Sequence, residues 1–122
     1  KNHLTLQDGT EILDACGEAA VAVTGQGKEE VVEALAAQAF SLAYVHTLLY
    51  TTRVAEDLAQ SIVGHRPGGL SKAVFVDSGS EANDGAMELA RRFFFERGET
   101  QRVHFIARKQ GYHGNTWGAM SL

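Results

Sequence analysis

The residues with the clearest potential for chemistry are Ser78, Gly79 and Ser80, which follow a short apolar run and precede a helical pattern. The run over 73–76 predicts a strand covered on both faces, because such strands are wholly apolar. Ser78 with Glu81 three positions later predicts a capping box at the start of a helix. A helix N-terminus at the carboxyl end of a parallel strand favours an anion, because free N–H groups and the helix dipole point toward it. The three residues therefore indicate an anion site, and the alternative is a well-capped turn without a ligand.

A strand–helix–strand unit is predicted around this turn. The helix runs to about Arg97, and Gly98 is a suitable residue to end it. Residues 103–107 predict the next strand, and a crossover of this length joins parallel strands with a right-handed connection. The helical spacing also predicts a buried apolar stripe, made of Ala82, Ala86, Leu89, Ala90 and Phe93.

The N-terminal part predicts short strands. The segments 4–6 and 11–14 alternate in polarity, and Asp8-Gly9 between them is typical of a type I′ hairpin turn. Residues 19–23 are small and apolar, which predicts a further strand or a buried extended segment.

Two helices are predicted after these strands. Apolar residues at helical spacing predict the first over 28–40. The second begins after Thr52, which serves as its N-cap, and ends at Gly64. The residues between, 41–51, are predicted to be irregular.

Composition and charge limit the possible function classes. The chain has 122 residues, 44% hydrophobic and 21% charged, with a formal net charge of -4. This length allows one domain at most, and the charge leaves no basic patch for nucleic acid. No apolar run approaches the roughly 20 residues that a membrane span needs. Cys16 is the sole cysteine, which fits a reducing compartment, so we expect a cytoplasmic protein. No metal site is predicted.

Longer strings of residues carry a family resemblance. The segment SGSEAN at 78–83, continuing as MELAR at 87–91, resembles the phosphate-binding segment of class III aminotransferases. These are fold-type-I enzymes that depend on pyridoxal 5′-phosphate (PLP). The string GYHGNT at 111–116 resembles the next signature of the same family. Upstream, Asp8-Gly9, Leu13-Asp14 and Gly25-Gln26-Gly27 are similar to its N-terminal segment, so the resemblance covers nearly the whole chain in order.

The resemblance implies an α/β fold. Residues 52–122 would begin the PLP-binding large domain of fold type I, a βαβ unit with parallel strands. Residues 1–51 would form a small N-terminal β/α segment before it. On this basis the fold is expected to be incomplete within the 122 residues.

The resemblance also implies roles for single residues at a cofactor site. Ser78, Gly79 and Ser80 would form the phosphate cradle, with the backbone N–H groups of the last two and the Ser80 hydroxyl holding the phosphate. Tyr112 would stack on the pyridine ring, where a flat aromatic face suits a flat electron sink, and the alternative is a core or interface tyrosine. His113 also belongs to this signature, and its role stays open between a hydrogen-bonded structural residue and a proton carrier.

Two further residues are expected near the substrate. Ala20 falls near positions that line the substrate pocket of the family, and its small side chain would enlarge that pocket. Tyr44 would face the pocket or a partner subunit, with packing as the alternative. The expected substrates are an amine or amino acid as donor and a 2-oxo acid or aldehyde as acceptor. The family further implies a homodimer when the protein is complete.

One part of the expected machinery has no match in the chain. Amino transfer with this cofactor needs a Schiff-base lysine, and in the family it comes from beyond the YHG signature. None of Lys1, Lys28, Lys72 and Lys109 stands in that context. We therefore expect the front portion of a larger enzyme, inactive by itself and completed by the remaining polypeptide or a second subunit.

Three alternatives stay open at this point. The first is a truncated or split-gene chain that acts as a structural partner without catalysis. The second is a related PLP-dependent decarboxylase or racemase. The third is a phosphate-binding α/β domain of another family.

Overall fold

Two compact units make up the chain. A computed structural model describes residues 2–122. One unit ends at Glu56, and the other runs from Asp57 to Leu122. The strands are β1 (His3–Thr5) and β2 (Glu11–Leu13), and the helices are α1 (Gly17–Ala20), α2 (Glu29–Ser41), α3 (Arg53–Val63), α4 (Gly79–Glu96) and α5 (Trp117–Met120), with a short 3₁₀ helix at Pro67–Gly69.

The predicted N-terminal hairpin is confirmed, but its predicted turn type is wrong. Strands β1 and β2 pair antiparallel, with Leu4 opposite Ile12. The Gly9 N–H donates to the Leu6 carbonyl at 3.0 Å, and Gly9 has a φ of +85° whereas Asp8 has no positive φ. A type I′ turn requires a positive φ at both central residues, so this loop is instead a turn over 6–9 with glycine in the left-handed position.

The strand predicted over 19–23 is also wrong. Residues 18–20 have φ values of 50°, 63° and 64°, which a strand does not allow. Asp14 explains the turn locally, since its Oδ1 accepts the N–H groups of Cys16 at 3.2 Å and Gly17 at 2.7 Å. Instead of being buried, Val21 is 80% exposed.

The two helices predicted next are confirmed within a residue or so. Lys28 is the N-cap of α2. The Thr52 hydroxyl oxygen accepts the Ala55 N–H at 3.3 Å, which is the capping role that the sequence predicts. Near the end of α3, Val63 is buried, and the Gly64 N–H donates to the Gln60 carbonyl at 2.9 Å. The intervening residues 42–52 contain no helix or strand.

Helix α4 also begins and ends as predicted. Ser78 is its N-cap. At the other end the Gly98 N–H donates to the Phe95 carbonyl at 3.0 Å, and the Glu99 N–H donates to the Phe94 carbonyl at 2.9 Å. With a φ of +79° at Gly98, this pair of hydrogen bonds is a Schellman motif.

The predicted parallel strands are absent from the structure. Within residues 2–122 the sheet consists of β1 and β2, and neither 73–76 nor 103–107 is a strand. Val74 is 86% exposed and Ile106 fully exposed, so the cover that such strands need on both faces is missing. The predicted βαβ unit is therefore wrong for this structure, because apolar character favours a buried strand only where a neighbouring strand pairs with it.

The packed face of α4 differs from the predicted apolar stripe. Leu89 and Phe93 are 69% and 53% exposed, and within the stripe only Ala90 is half-buried. The other half-buried side chains lie about one position away from the stripe, and they include Asn83, Asp84 and Phe94. This face is partly polar because α4 contacts α5 and also makes hydrogen bonds to residues 113 and 115, which precede α5.

Candidate functional site

The N-terminus of α4 has two backbone donors available for a ligand. The Ser78 hydroxyl oxygen accepts the Glu81 N–H at 3.2 Å, and the Ser78 carbonyl accepts the Ala82 N–H at 3.0 Å. No acceptor for the N–H groups of Gly79 and Ser80 lies among residues 2–122. A Cβ on Gly79 would meet nothing within 4 Å. The structure thus leaves open space beside Gly79, at a helix N-terminus whose dipole favours an anion.

The capping box that the sequence predicts forms in a modified way. Besides accepting the Glu81 N–H, the Ser78 hydroxyl donates to the Glu81 carboxylate at 3.0 Å. The Glu81 side chain therefore bonds to the capping side chain instead of the capping backbone N–H. Ser78 is engaged on both sides by Glu81, so its contribution to the site is to start the helix and align the following N–H groups.

Ser80 is the buried residue of the predicted cradle, with 9% of its surface exposed. Its hydroxyl donates to Asn115 Oδ1 at 2.9 Å and accepts the Asn115 backbone N–H at 3.0 Å. These partners are 35 residues apart in sequence. The side chain of Ser80 therefore joins the start of α4 to the segment that precedes α5.

Asn83 makes a second connection one turn further along α4. Its Nδ2 donates to the backbone carbonyl of His113. We call these three hydrogen bonds, from the Ser80 and Asn83 side chains to residues 113 and 115, the tether. The tether brings the two strongest sequence motifs, SGSEAN and GYHGNT, into direct contact.

Gly114 lies where the tethered segment comes closest to α4. Its φ is +135°, and a Cβ there would lie 2.5 Å from Ser80 Oγ and 2.8 Å from the Ala119 Cβ. Ala119 is 2% exposed. Glycine is required at this position for both reasons, since a side chain would be strained and would collide with its neighbours.

Tyr112 and His113 differ in their surroundings. The Tyr112 side chain is 84% exposed, so its face is open to a ligand and its predicted ring stacking stays a prediction. The His113 side chain is half-buried, and its Nε2 is buried without a hydrogen-bond partner among the described residues. A Cβ on Gly111 would lie 2.6 Å from this nitrogen. The imidazole is therefore folded against its own turn, and the contact of His113 with α4 is made by its backbone.

In the first unit, one of the two predicted substrate residues lines a cavity. Ala20 borders a cavity of about 270 Å³ together with Asp14, Cys16 and Gly25, among others. Tyr44 is 75% exposed and does not line this cavity. The structure thus places Ala20 at this cavity and Tyr44 outside it, and their predicted roles at the substrate stay predictions.

Asp14 is the charged group of that cavity. Burial raises the pKa of Asp14, but hydrogen bonds from the N–H groups of Gly17, Cys16 and Glu18 and from the Cys16 thiol outweigh it. The net pKa lies below the ordinary value because these donors stabilise the charged form. Asp14 is therefore an acceptor at neutral pH, and it orders the turn that carries Ala20.

The residues that sequence reasoning missed are Asn83, Asn115 and Gly114 as connecting residues. Each belongs to a motif that the sequence pointed out, but residue type alone does not reveal a partner 30 or 35 residues away. Within residues 2–122 no group of three or more His, Cys, Asp or Glu side chains could hold a metal ion. None of the helices described has the length and apolar character to cross a membrane.

Comparison with known proteins identifies the family. A family model described as aminotransferase class-III matches residues 1–122. An uncharacterized aminotransferase of Schizosaccharomyces pombe is 43% identical over 120 residues, which are 98% of this chain and 26% of the relative. The putrescine–pyruvate aminotransferase of Pseudomonas aeruginosa is 34% identical over 94% of this chain and 25% of its own length. The adenosylmethionine-8-amino-7-oxononanoate aminotransferase of Methanocaldococcus jannaschii is also 34% identical, over 99% of this chain and 26% of its own length.

These matches cover the chain almost completely, whereas the chain spans about a quarter of the length of the relatives. They rule out the alternative of a phosphate-binding domain from another family. The resemblance stated from the SGSEAN and GYHGNT strings is confirmed, and the chain belongs to the class III aminotransferase family.

Proposed function

We propose that the protein carrying this chain is a PLP-dependent aminotransferase, and that residues 78–80 and 112 contribute to its cofactor site. The class III family is generally PLP-dependent. The observation that carries the proposal is the pair of N–H groups on Gly79 and Ser80, which have no acceptor among residues 2–122, together with the open space beside Gly79 at the start of α4. Two aligned donors at a helix N-terminus fit a phosphate group.

The residues present fit the cofactor in two further respects. The flat face of Tyr112 is exposed, which suits packing against an aromatic ring. The tether connects this tyrosine's segment to the start of α4, so the expected phosphate and ring contacts belong to one hydrogen-bonded unit. When bound, PLP supplies an electron sink for chemistry at the carbon that bears the amino group. This chain's residues would bind the cofactor, orient it and limit its movement.

The proposal assigns no turnover to residues 1–122 alone. Lys28 pairs with Glu30 at 3.3 Å, and Lys72 and Lys109 are exposed, so none of them stands in a formed site. Lys1 lies outside the described residues. The Schiff-base lysine is expected from other parts of the enzyme. The proposed reaction moves an amino group from an amine or amino acid to a 2-oxo acid or aldehyde, and the relatives are named for different amino donors.

The experiment measures cofactor affinity in the full-length protein that carries this sequence. We expect it to bind PLP more tightly than pyridoxal, which lacks the phosphate. Gly79→Ala should reduce that preference about tenfold or more, because a methyl group beside the two N–H groups would displace the phosphate, and a hydrogen bond to a charged group contributes about 1.5–3 kcal/mol.

The control is Gly85→Ala, on the same helix. A Cβ on Gly85 also meets nothing within 4 Å, so this variant should fold and keep the preference for PLP. Absence of PLP binding by the full-length protein would refute the proposal. Analysis of products with an amino donor and a 2-oxo acid then separates amino transfer from decarboxylation or racemisation.

A further inference from the structure

Arg91, in the C-terminal half of α4, is an arginine whose pairing is incomplete. Its side chain is half-buried. Its Nη2 donates to the Thr100 carbonyl at 3.1 Å, whereas its Nη1 is buried without a hydrogen-bond partner among residues 2–122. Its guanidinium also lies 5.5 Å from the centre of the Phe95 ring. An arginine side chain stays charged in proteins, and a charge withdrawn from water is costly unless it is paired. Arg91 therefore calls for an anionic partner.

The other arginines of this region already have carboxylate partners. Arg92 pairs with Glu96 at 2.5 Å, and Arg97 and Arg102 both pair with Glu99, at 3.2 and 2.8 Å. These three arginines are exposed, so water also solvates them. Because each of the two glutamates is engaged with its own arginines, neither is left to neutralise the half-buried one.

Arg91 borders an open cavity between α4 and the segment that follows it. The cavity has a volume of about 320 Å³, and its lining includes Phe94, Arg102, His104 and Phe105. The Arg102 guanidinium lies over the Phe94 ring, 4.3 Å from its centre. Among the described residues, no Asp or Glu side chain lines this cavity. We call it the Arg91 cavity; its walls are basic and aromatic, which complements an anion.

We propose that the Arg91 cavity is the docking site of an acidic side chain, Asp or Glu, from the part of the protein outside residues 1–122. A carboxylate matches the planar fork of a guanidinium. The proposal rests on the chain being part of a full-length aminotransferase, since the chain spans about a quarter of the length of its relatives. The site is separate from the cofactor site, because Arg91 lies roughly 18 Å along the helix from Gly79, at about 1.5 Å per residue.

The first experiment measures hydrogen exchange at the amides of residues 101–105 in the full-length protein. Arg91→Met keeps much of the side-chain volume and removes the charge. It should raise exchange by about a hundredfold, because it leaves the docked carboxylate buried without a partner. Loss of the bond to the Thr100 carbonyl alone would raise exchange by only about tenfold. An increase of about tenfold or less would therefore overturn the proposal.

The matched control is Arg92→Met, the same substitution at the next position of α4. Arg92 is exposed and pairs within the helix, and an exposed pair of this kind contributes little. Exchange at 101–105 should therefore stay within about twofold of wild type. An effect equal to that of Arg91→Met would show a general loss of helix charge and would overturn the proposal.

The second experiment identifies the docked residue. Each Asp and Glu outside residues 1–122 is replaced in turn by Asn or Gln in the full-length protein. One of these substitutions should raise exchange at 101–105 as Arg91→Met does. Combined with Arg91→Met, it should raise exchange no further, because both changes act on one contact. Additive effects for every acidic residue tested would overturn the proposal.

The third experiment tests for a free carboxylate, with sodium benzoate as the probe. If an acidic side chain occupies the Arg91 cavity, benzoate should leave exchange at 101–105 unchanged in the wild-type protein. Slower exchange with benzoate in wild type, and not in Arg91→Met, would assign the cavity to a free anion and overturn the proposal.

These measurements are independent of the cofactor site. Arg91→Met should keep the preference for PLP over pyridoxal, and Gly79→Ala should leave exchange at 101–105 unchanged. If the wild-type protein does not bind PLP, the proposed function fails, and the exchange measurements still test the docking site.

Discussion

The turn at Asp14 and the start of α4 are both candidate site regions, and they are held together in different ways. Asp14 accepts from N–H groups two and three residues ahead of it, so its turn is organised by adjacent sequence alone. Ser80 and Asn83 bond to residues 35 and 30 positions away. The comparison teaches that a local hydrogen bond shapes a turn without burying it, whereas long-range bonds bring two motifs into contact at the proposed cofactor site.

The difference extends to backbone geometry. Glu18, Ala19 and Ala20 adopt positive φ values without glycine, a conformation that costs roughly 1–2 kcal/mol per residue. Within the tethered residues 113–115 the positive φ belongs to Gly114, where glycine is suited to it, and Gln110 just before this segment has a φ of 62°. The α4 region therefore combines long-range bonding with fewer consecutive strained residues than the Asp14 turn.

The largest effect is expected when the close approach at α4 is broken. Gly114→Ala should lower the unfolding free energy by about 2–5 kcal/mol, because it adds strain at a positive φ to a collision with Ser80 and Ala119. Urea unfolding of the full-length protein, combined with hydrogen exchange at 112–116, measures this change.

Gly9→Ala is the matched control for Gly114→Ala. Gly9 has a φ of +85°, but a Cβ there would meet nothing within 4 Å. This variant should therefore cost only the conformational term, about 1–2 kcal/mol. Equal losses in the two variants would show that the collision at Gly114 contributes nothing.

A smaller effect is expected when the N-cap of α4 is removed. Ser78→Ala removes the side chain that accepts the Glu81 N–H, and the loss of such a cap costs about 1 kcal/mol. Hydrogen exchange in the first turn of α4 measures it, and Thr52→Ala gives the comparison at the equivalent cap of α3. Ser78→Thr should restore protection, and a failure to do so would mean that the cap is not the cause.

The smallest effect is expected at the Asp14 turn, and it depends on pH. Because hydrogen bonds lower the pKa of Asp14 below its ordinary value of 3.8, the turn is stabilised at pH values above 3.8. This stabilisation is lost as the pH falls through the lowered pKa of the folded protein. The tether joins neutral side chains, so its bonds carry no such titration.

The chemical shifts of the Cys16 and Gly17 amides, followed during an acid titration, measure the loss at Asp14. Asp14→Asn keeps an oxygen acceptor but does not titrate, so it should remove the pH dependence at these two amides. The Asp8 carboxylate has a lowered pKa as well, because the Thr10 N–H donates to it, and it should affect the Thr10 amide instead. Unchanged titration at Cys16 in Asp14→Asn would contradict the assigned role.

Features that depend on neighbouring residues could be predicted from the sequence. The helix ends are set by hydrogen bonds to partners within a few positions. These ends are the N-caps at Thr52 and Ser78 and the left-handed residue Gly98. The hairpin pairing of Leu4 with Ile12 follows from alternation on both sides of a short loop. The turn type could not be predicted from the sequence, because Asp8-Gly9 is compatible with loops of different length.

Features that depend on distant partners could not be predicted in the same way. The run at 73–76 has strand-like composition, but composition does not supply the neighbouring strand whose N–H and carbonyl groups it would pair with. The sequence predicts that Leu89 and Phe93 are buried because they are apolar. The face of α4 that packs instead includes Asn83, because its amide donates a hydrogen bond to the carbonyl of residue 113.

The sequence by itself determined the family, through two short strings in the right order, and the places where helices begin and end, since these depend on local hydrogen bonds. The tertiary structure decided the partner of the Ser80 side chain. Within residues 2–122 the N–H groups of Gly79 and Ser80 have no acceptor at the start of α4, whereas the Ser80 hydroxyl is bound to Asn115. Only a structure places Asn115 beside Ser80, because a contact between residues 35 positions apart depends on how the whole intervening chain folds.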